Sequence, residues 1–598
     1  MLRRLAALAA LFLFAPVYAD EAPTPDAGTP VDFQWSVKIP LRDGVKLNAT
    51  LYRPQAQKEP LPCVFTLTPY IAGSYHERGT YFAAHGYVFL TVDVRGRGNS
   101  EGEFTPLLQE AKDGHDVVEW LAQQKWCNGK VTMWGGSYAG YDQWATAKEF
   151  PPHLATIVPV ASPFAGVDFP RHNNIAYPYD MQWLTFTSGH AGQEKIFGDD
   201  KFWIAKFKEL YEGHRAFKEL DTVIGNPSPI FRAWTAHPMM DAYWDSYNPT
   251  PAQFAKIDLP ILTVTGQYDG DQPGAMTFYR EHMAHASEHA RAQHYLIIGP
   301  WDHPGTRTPQ ADVGGLKFGA ASLLDMNKLH KQWYDWTLKS AAKPEFLKNR
   351  VAYYVLGNGA EDWRYAETLE KITAESRPLY LDSHDGRAND VFASGQLDPD
   401  KPVGAKPDHY VYDPLDTSSA KVQSVTAANW LTDQRLLLQQ SGKYLFYHTA
   451  PFAREADLAG FFKLSAWLSI DQPDSDFYAV IWEVLPDGSV IFLADDMLRA
   501  RYRDGDRAAK PVAKGEVVRY EFNRFPFVAR RIQSGSRLRL IVAPLNSLYV
   551  EKNYNSGGVV AEETGKDART VTVRLYHDAQ HPSALFVPIA ASGSVPKN

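Results

Sequence analysis

Residues 131–140 read VTMWGGSYAG, with one serine, Ser137, between glycines and small residues directly after a short apolar run. The residues KVTMW predict a strand, and the following YDQWATAKEF predicts a helix that two prolines end. A serine at such a sharp turn can expose its hydroxyl only if the residues two positions away on either side are small. Gly135 and Ala139 meet this requirement, although Ala139 departs from the strict G-x-S-x-G pattern. The stretch therefore predicts either a nucleophilic serine or an ordinary glycine-rich turn.

Continuous apolar runs surround this stretch and alternate with helical patterns. Runs buried on both faces are typical of parallel strands covered by helices, so the alternation predicts a largely parallel sheet. A hairpin signal around Asp43 and Gly44 precedes the sheet. The predicted strands are LPCVFTLTPY, GYVFLTVDV, KVTMWG, LATIVPVAS, LPILTVTG and HYLIIGP, and the clearest helices are EAKDGHDVVEWLAQQ and GAMTFYREHMAHASEHA.

Two regions depart from this alternation. Residues 162–258 contain no good buried strand but many aromatic residues and several helical segments, so we expect a helical insertion that forms a cap over the sheet. Beyond about Arg377, short strands separated by turn residues predict an all-β domain, either a sandwich or a jelly roll. The sheet domain is then expected in two parts, residues 31–161 and 259–376, and the β domain over residues 377–598. The second part of the sheet domain includes a helix predicted from about Ala321.

The first residues, MLRRLAALAALFLFAPVYA, have the pattern of a secretory signal peptide that ends near Ala19. Its apolar stretch is too short to span a membrane, and no other run is long enough. We expect residues 1–19 to be removed and the mature protein to be exported, either periplasmic or secreted. The chain of 598 residues has a formal net charge of -8 and no basic block, which argues against nucleic acid as a partner. The two cysteines, Cys63 and Cys127, could pair or remain free thiols, and two cysteines this far apart cannot form a metal site.

A nucleophilic serine needs a histidine base and an orienting carboxylate, which in this type of sheet follow in the order Ser, Asp, His. The run LPILTVTGQYDG ends at Asp269 and the run HYLIIGPWDHPG ends at His303, so both side chains are expected at the same sheet edge as Ser137. Asp271 and Asp302 compete with Asp269 for the carboxylate role, and His303 could be a plain loop residue. The histidines on helical patterns are expected to be solvated, namely His115, His282, His285 and His289.

Acyl transfer also requires donors for the oxygen that becomes negative. The backbone N–H of Tyr138 follows the predicted nucleophile and is one candidate. The second is expected after the strand CVFTLTPY, from either the Tyr70 hydroxyl or the N–H of Ile71. A tyrosine at a strand end is also often a packing residue, so both interpretations stay open.

These residues stand in motifs that together resemble the bacterial cocaine-esterase family of CocE/NonD-type hydrolases. The motifs are GGSYAG, TPY, VDVRGRGNSEGEF, GQYDG and GPWDH in the first half of the chain, and HYVYDPLD, DQPDSDFYAVIWEVLPDGS and SGSRLRL in the second. The family includes α-amino-acid ester hydrolases and certain cephalosporin acylases and is related to X-prolyl dipeptidyl peptidases. The resemblance implies an α/β-hydrolase fold, with a mostly parallel sheet and a helical cap insertion, followed by a C-terminal all-β jelly-roll domain.

The resemblance also implies roles for single residues. Ser137, Asp269 and His303 would form a catalytic triad, and the Tyr70 hydroxyl would join the Tyr138 N–H in the oxyanion hole. The α-amino-acid ester hydrolases bind the α-ammonium group of the substrate with a carboxylate cluster, two members of which stand two and three positions after the triad aspartate.

In this chain those two positions hold Asp271 and Gln272, so one acid remains and one is missing. Asp168 in the cap entry could be a further member of the cluster. Asp271 could equally cap a helix that starts near Gly274.

We therefore expect an exported serine hydrolase that cleaves carboxylic esters, or aminoacyl esters and acyl amides, through an acyl-enzyme. It needs no metal or organic cofactor, since neither H-E-x-x-H nor a phosphate-binding motif occurs. Its expected partner is a small ester or acyl-amide substrate, and the sequence leaves the oligomeric state open. One alternative is an X-prolyl dipeptidyl peptidase-like aminopeptidase. Another, of a different class, is a carbohydrate- or wall-binding protein whose hydrolase domain has degenerated.

Overall fold

A mostly parallel β-sheet forms the first part of the chain. The computed structural model describes residues 28–591, apart from residues 358, 384, 385, 405 and 425–427. The signal peptide expected at residues 1–19 lies outside these residues. Within them, none of the helices has both the length and the apolar character that crossing a membrane requires.

The chain enters the sheet through the predicted hairpin, whose two strands are antiparallel and turn at Asp43 and Gly44. The next strands are parallel and buried on both faces, which explains their continuous apolar character. The elements up to residue 160 are β1 (Val31–Pro40), β2 (Lys46–Pro54), β3 (Leu61–Thr68), α1 (His76–Ala84), β4 (Val88–Asp93), α2 (Glu110–Ala122), β5 (Cys127–Met133), β6 (Gly135–Gly136), α3 (Tyr138–Ala147), β7 (Leu154–Thr156) and β8 (Pro159–Val160).

The region expected to form a cap is helical, apart from one small hairpin. It buries its own aromatic side chains, among them Trp203, Trp234 and Trp244. Its elements are β9 (Arg171–His172), β10 (Ile175–Ala176), α4 (Tyr179–Phe186), α5 (Glu194–Phe197), α6 (Asp200–Glu212), α7 (Leu220–Ile224), α8 (Pro229–Ala236), α9 (Ala242–Asp245) and α10 (Pro251–Phe254).

The chain then returns to the sheet. The strands form two six-stranded groups, with the orders β1-β2-β4-β3-β5-β7 and β16-β15-β12-β11-β8-β6, and a parallel bridge between Ile157 and Ile261 joins them. The predicted strand LATIVPVAS is therefore divided into β7 and β8, one in each group. The elements of this part are β11 (Ile261–Tyr268), α11 (Gln272–His285), α12 (Glu288–Ala292), β12 (His294–Asp302), β13 (Asp312–Val313), β14 (Leu316–Lys317), α13 (Met326–Lys339), β15 (Val351–Val355) and β16 (Asp362–Ala366).

The start of one predicted helix is wrong. The helix expected from about Ala321 begins at Met326, because the side chain of Asp325 accepts a hydrogen bond from the N–H of Lys328 at 3.0 Å and caps the helix there. The helix expected near Gly274 is present and begins at Gln272.

The rest of the chain forms an all-β domain around a second apolar core, which confirms the predicted fold class. Its connection as a jelly roll stays a prediction. The elements are β17 (Thr373–Asp382), β18 (Gly395–Asp398), β19 (Asp408–Tyr412), α14 (Ala420–Gln423), α15 (Arg435–Leu438), β20 (Leu445–Thr449), β21 (Ala456–Phe461), β22 (Lys463–Ile470), β23 (Asp476–Val484), β24 (Val490–Arg499), β25 (Val518–Phe522), β26 (Phe527–Ile532), β27 (Arg537–Pro544), β28 (Val571–Tyr576) and β29 (Ala584–Ala590).

The two cysteines are paired in the structure. Cys63 lies on β3 and Cys127 at the start of β5, and the two parallel strands are direct neighbours. Their Cα atoms are 5.9 Å apart, which is within the normal range for a disulfide. This geometry favours the paired alternative over two free thiols.

Candidate active site

Ser137 occupies the sharp turn between β6 and α3. Its backbone has φ 62° and ψ -128°, a conformation that few residues other than glycine adopt. The N–H of Ser137 donates to the carbonyl oxygen of Val160 at 3.0 Å, which ties the turn to β8. A Cβ added to Gly135 would lie 2.5 Å from the Cβ of Ala139, so neither position has room for a larger side chain. Ala139 therefore fits the turn despite its departure from the strict motif.

Asp269 and His303 follow two neighbouring parallel strands. β11 ends at Tyr268 and β12 at Asp302, and these two residues are paired in the sheet. The next residues therefore emerge side by side, and His303 Nδ1 lies 2.7 Å from Asp269 Oδ1. The other carboxylate oxygen of Asp269 accepts a hydrogen bond from Thr265 Oγ1 at 3.0 Å. Asp269 is thus fixed while its partner imidazole stays partly exposed.

The electrostatics of this pair favour a charged imidazole beside a charged carboxylate. Burial alone would raise the pKa of Asp269. The charge and hydrogen bond of His303 lower it by more than burial raises it, so the net pKa is below its ordinary value. Burial also lowers the pKa of His303, but the carboxylates of Asp271 and Asp269 outweigh this effect and the net pKa is raised. Asp269 therefore stabilises the imidazolium form of His303.

The Tyr70 hydroxyl lies near the serine. Its oxygen is 3.5 Å from Ser137 Oγ, which favours the hydroxyl rather than the N–H of Ile71 as the predicted second donor. Burial raises the pKa of Tyr70 to about 12, so the hydroxyl keeps its proton at neutral pH. Tyr138 is the first residue of α3, where backbone N–H groups have no acceptor within the helix.

Tyr70, Ser137 and His303 line one cavity of about 230 Å³. Ser137 and His303 both line this cavity, and no hydrogen bond between them is found within the described residues. The walls are mostly aromatic, which suits an apolar group. The lining residues are Tyr70, Ser137, Tyr138, Pro163, Phe169, Tyr179, Trp183, Gly270, Asp271 and His303.

Asp271 points into the cavity and does not cap the helix behind it. Asp271 occupies the N-cap position of α11, but its side chain makes no capping hydrogen bond. Its Oδ2 lies 3.6 Å from His303 Nδ1. Burial raises the pKa of Asp271 to about 8; the charge of His303 lowers this pKa, and the charges of Asp168 and Asp269 raise it further.

The other two residues at the expected carboxylate-cluster positions, Asp168 and Gln272, are used in structural hydrogen bonds. Asp168 is buried, and its two oxygens accept hydrogen bonds from the N–H groups of Phe164 at 2.7 Å and Gly274 at 2.6 Å. It does not line the cavity. Gln272 is fully buried and its side-chain oxygen accepts a hydrogen bond from the N–H of Phe527 at 2.5 Å, which fastens the β domain to this loop. Of these three residues, only Asp271 therefore reaches the cavity.

The remaining competitors lie elsewhere. Asp302 accepts a hydrogen bond from the N–H of Gly305 at 2.9 Å and closes the turn after His303.

His282, expected to be solvated, is fully buried, because α11 packs it against His294 and the carbonyl oxygen of Ile257. Over the part of the chain that the structure describes, no three His, Cys, Asp or Glu side chains are grouped so as to hold a metal ion.

Trp183 is a site residue that the sequence does not single out. It lies on α4 of the cap, and its indole N–H donates to the Tyr70 hydroxyl oxygen at 3.1 Å. Its ring also stacks on the ring of Tyr138, with centroids 5.5 Å apart. The available signal was the aromatic content of the cap, which does not distinguish one tryptophan from another.

Comparisons with known proteins agree with the architecture. Residues 43–305 match the family model for X-Pro dipeptidyl-peptidase (S15 family), and residues 346–585 match the model for the X-Pro dipeptidyl-peptidase C-terminal non-catalytic domain. Among solved structures, an α-amino acid ester hydrolase covers 96% of this chain and 100% of its own, with a TM-score of 0.80 and 22% identity. A CocE/NonD family hydrolase from Staphylococcus aureus covers 93% of both chains, with a TM-score of 0.67 and 19% identity. These matches confirm the predicted fold.

Curated proteins show the same relationship over nearly the whole chain. A cocaine esterase from Rhodococcus sp. (strain MB1 Bresler) is 26% identical over 93% of this chain and 98% of its own length. A putative serine esterase from Mycobacterium bovis is 23% identical over 93% of this chain and 95% of its own length. The resemblance predicted from the motifs is thereby confirmed, and it supports a serine ester hydrolase.

Proposed function

We propose that this protein cleaves carboxylic esters through an acyl-enzyme formed on Ser137. The chain resembles the cocaine-esterase family of hydrolases along nearly all its length. The observation that carries this proposal is that His303, paired with Asp269 at 2.7 Å, lines the same cavity as the strained Ser137. Asp269 would hold the imidazole with Nδ1 protonated, which leaves Nε2 free to act as a base. The Tyr70 hydroxyl and the Tyr138 N–H would stabilise the oxyanion.

The reaction proceeds in two halves. Ser137 Oγ attacks the ester carbonyl while His303 takes its proton, and the carbonyl oxygen becomes negative between the two donors. The tetrahedral intermediate then collapses, His303 returns the proton to the departing alcohol, and the acyl group stays on the serine. A water molecule, deprotonated by His303, hydrolyses this acyl-enzyme and restores the serine hydroxyl.

The cavity indicates the type of acyl group. Its volume of about 230 Å³ and the rings of Phe169, Tyr179 and Trp183 suit a compact apolar or aromatic acyl group. Among the described residues, Asp271 is the one carboxyl that lines the cavity, and with its pKa raised to about 8 it holds a proton part of the time at neutral pH, so the cavity does not carry a full negative charge. We therefore propose a neutral acyl group as the main substrate class.

Asp271 also supports a second candidate. A bound α-ammonium group would favour the ionised carboxyl, and Asp271 could then hold an aminoacyl ester or the N-terminus of a peptide. An aminoacyl ester hydrolase or X-prolyl dipeptidyl peptidase-like activity would use the same triad. Since Asp168 and Gln272 are occupied elsewhere, this recognition would rest on one carboxyl.

We also propose that the protein is exported. The N-terminal pattern of the sequence supports this, and so does the Cys63–Cys127 disulfide, because disulfides persist mainly in oxidising compartments.

The test compares an α-amino-acid methyl ester with its N-acetylated counterpart, using the mature wild-type protein, Ser137→Ala and Asp271→Asn. Equal or better cleavage of the acetylated ester identifies a carboxylesterase for neutral acyl groups. A large preference for the free amine that Asp271→Asn abolishes identifies the aminoacyl alternative. Full activity in folded Ser137→Ala would refute the serine mechanism altogether.

A further inference from the structure

We propose that Trp183 of the cap is a positioning residue that directs the Tyr70 hydroxyl proton toward the oxyanion. This inference rests on the proposed function, because it assigns Trp183 a role in the same reaction. Trp183 need not touch the reacting atoms for this role. It acts through the oxygen of Tyr70, and so makes the cap a part of the oxyanion hole.

The ring of Tyr70 is fixed, but the hydroxyl proton needs a further constraint. The ring stacks on Phe186 with centroids 5.4 Å apart, and the Tyr70 N–H donates to Thr68 Oγ1 at 3.0 Å. Neither contact involves the phenolic oxygen. A phenolic hydroxyl can donate or accept, and its proton can rotate between neighbouring acceptors.

Trp183 removes this freedom. An indole N–H is a donor only, so the 3.1 Å contact obliges the Tyr70 oxygen to accept on that side. The proton of Tyr70 must then point to another acceptor, and Ser137 Oγ at 3.5 Å lies on the side where the substrate carbonyl would bind. Donation to the phenolic oxygen also polarises its O–H bond and makes it a better donor.

Trp183 is itself firmly held. Its side chain is buried, its ring stacks on Tyr138 with an interplanar angle of 19°, and its edge packs against Phe169 with centroids 5.3 Å apart. One side chain therefore contacts both residues expected to supply the oxyanion donors. Such double contact is what a preorganised site needs, because the donors must be in place before charge develops.

A matched pair of substitutions separates this role from simple packing. Trp183→Phe keeps a stacked ring but removes the N–H donor. Trp234→Phe is the control, since Trp234 is also buried in the cap, and within the described residues its indole nitrogen has no hydrogen-bond partner. We expect Trp183→Phe to lower kcat about 10-fold with little change in KM, as for the loss of one hydrogen bond. Trp234→Phe should leave kcat nearly unchanged.

The decisive measurement is a double-mutant cycle with Tyr70→Phe on a neutral ester. If Trp183 acts through the Tyr70 hydroxyl, adding Trp183→Phe to Tyr70→Phe causes no further loss of kcat. If the two losses multiply, Trp183 has only a packing role and the inference is wrong. A fully active Ser137→Ala would instead refute the proposed function, and this inference with it, so the two failures are distinguishable.

A spectroscopic measurement covers the case in which Trp183→Phe does not fold. The indole N–H resonances of the wild-type protein and of Tyr70→Phe are compared, since Tyr70→Phe keeps the ring and removes only the acceptor oxygen. We expect one indole resonance to move to the position of an indole without a hydrogen bond. An unchanged set of indole resonances would show that the Trp183–Tyr70 bond does not exist in solution.

Discussion

His303 Nδ1 faces two carboxyl groups, with Asp269 Oδ1 at 2.7 Å and Asp271 Oδ2 at 3.6 Å. The nearer group is buried and held by two donors, Thr265 Oγ1 and the backbone N–H of Asp271. The farther group borders the cavity. We infer that Asp269 orients the imidazole of His303, whereas Asp271 mainly raises the pKa of that imidazole.

The pH dependence of the reaction should reflect these two carboxyl groups. His303 must be neutral to act as a base, and the carboxylates raise its pKa, so kcat/KM should fall on the acid side with a midpoint above the ordinary histidine value of about 6.5. Asp271→Asn removes one of the groups that raise this pKa, so the midpoint should move to lower pH.

Asp302→Asn is the control for this shift. Asp302 adjoins His303 in sequence, but its oxygen accepts from the N–H of Gly305, and asparagine can accept the same bond. Its acid limb should match the wild type. An Asp271→Asn profile that coincides with the wild-type profile would contradict the electrostatic role of Asp271.

Substitution of Asp269 should affect the rate far more than that of Asp271. Asp269→Asn leaves the imidazole without the acceptor that fixes its tautomer, and the corresponding change in another serine hydrolase lowers kcat about 10⁴-fold. We expect a loss of similar size here, measured as kcat on a neutral ester, with the melting temperature as the check on folding. A loss of less than about 10-fold would exclude Asp269 as the orienting carboxylate.

Removal of the Tyr70 hydroxyl should slow the chemical step without weakening substrate binding. Tyr70→Phe is expected to lower kcat by about 10² to 10³ with KM nearly unchanged, because the donor acts mainly on the transition state. Tyr179→Phe is the matched control, since Tyr179 lines the same cavity but, among the described residues, makes no hydrogen bond to Ser137, unlike Tyr70. Equal effects of the two substitutions would assign Tyr70 to packing alone.

Gly135→Ala should damage the turn that carries the serine. Gly135 has φ 152°, and an added Cβ would lie 2.5 Å from the Ala139 Cβ, so the turn must shift. We expect activity to be lost and the free energy of unfolding to fall by about 1 to 3 kcal/mol, measured by denaturant titration. Gly73→Ala is the control, because a Cβ there would meet no atom within 4 Å. Normal activity in Gly135→Ala would show that the turn tolerates a larger residue.

The disulfide should contribute to stability rather than to catalysis. Cys63 and Cys127 are separated by 64 residues, and closing a loop of this length stabilises a fold by about 2 to 5 kcal/mol. Cys63→Ala/Cys127→Ala should therefore unfold at a lower denaturant concentration while its kcat at 25 °C stays near the wild-type value. An unchanged unfolding midpoint would indicate that the two thiols are not linked in solution.

The sheet, and the positions of Ser137, Asp269 and His303 at its edge, can be predicted from the sequence because both depend on local patterns. Buried parallel strands require continuous apolar runs, and residues such as Asp269 and His303 are found by their position just after those runs. The elbow at Ser137 is equally local, since close contact between residues two positions apart excludes large side chains. These features need no knowledge of distant contacts.

The parts that the sequence does not predict depend on contacts between distant segments. Trp183 meets Tyr70 across 113 positions of the chain, and nothing in its local sequence separates it from the other cap aromatics. His282 has charged neighbours on its helix, yet the packing of α11 against β12 buries it beside His294. Asp271 has the sequence context of a helix cap, and only the orientation of its side chain shows that it faces the cavity.

The contact between the cap and Tyr70 limits how such an enzyme could change its substrate range. The cap supplies much of the cavity wall, so it is the natural region in which to vary residues when a new ester is wanted. Trp183 lines the same wall and shares its helix with Tyr179, and under the role proposed above its loss would lower the rate for every ester alike. Libraries that randomise the cap should therefore keep Trp183, and natural selection on the cap would face the same trade-off between new specificity and retained speed.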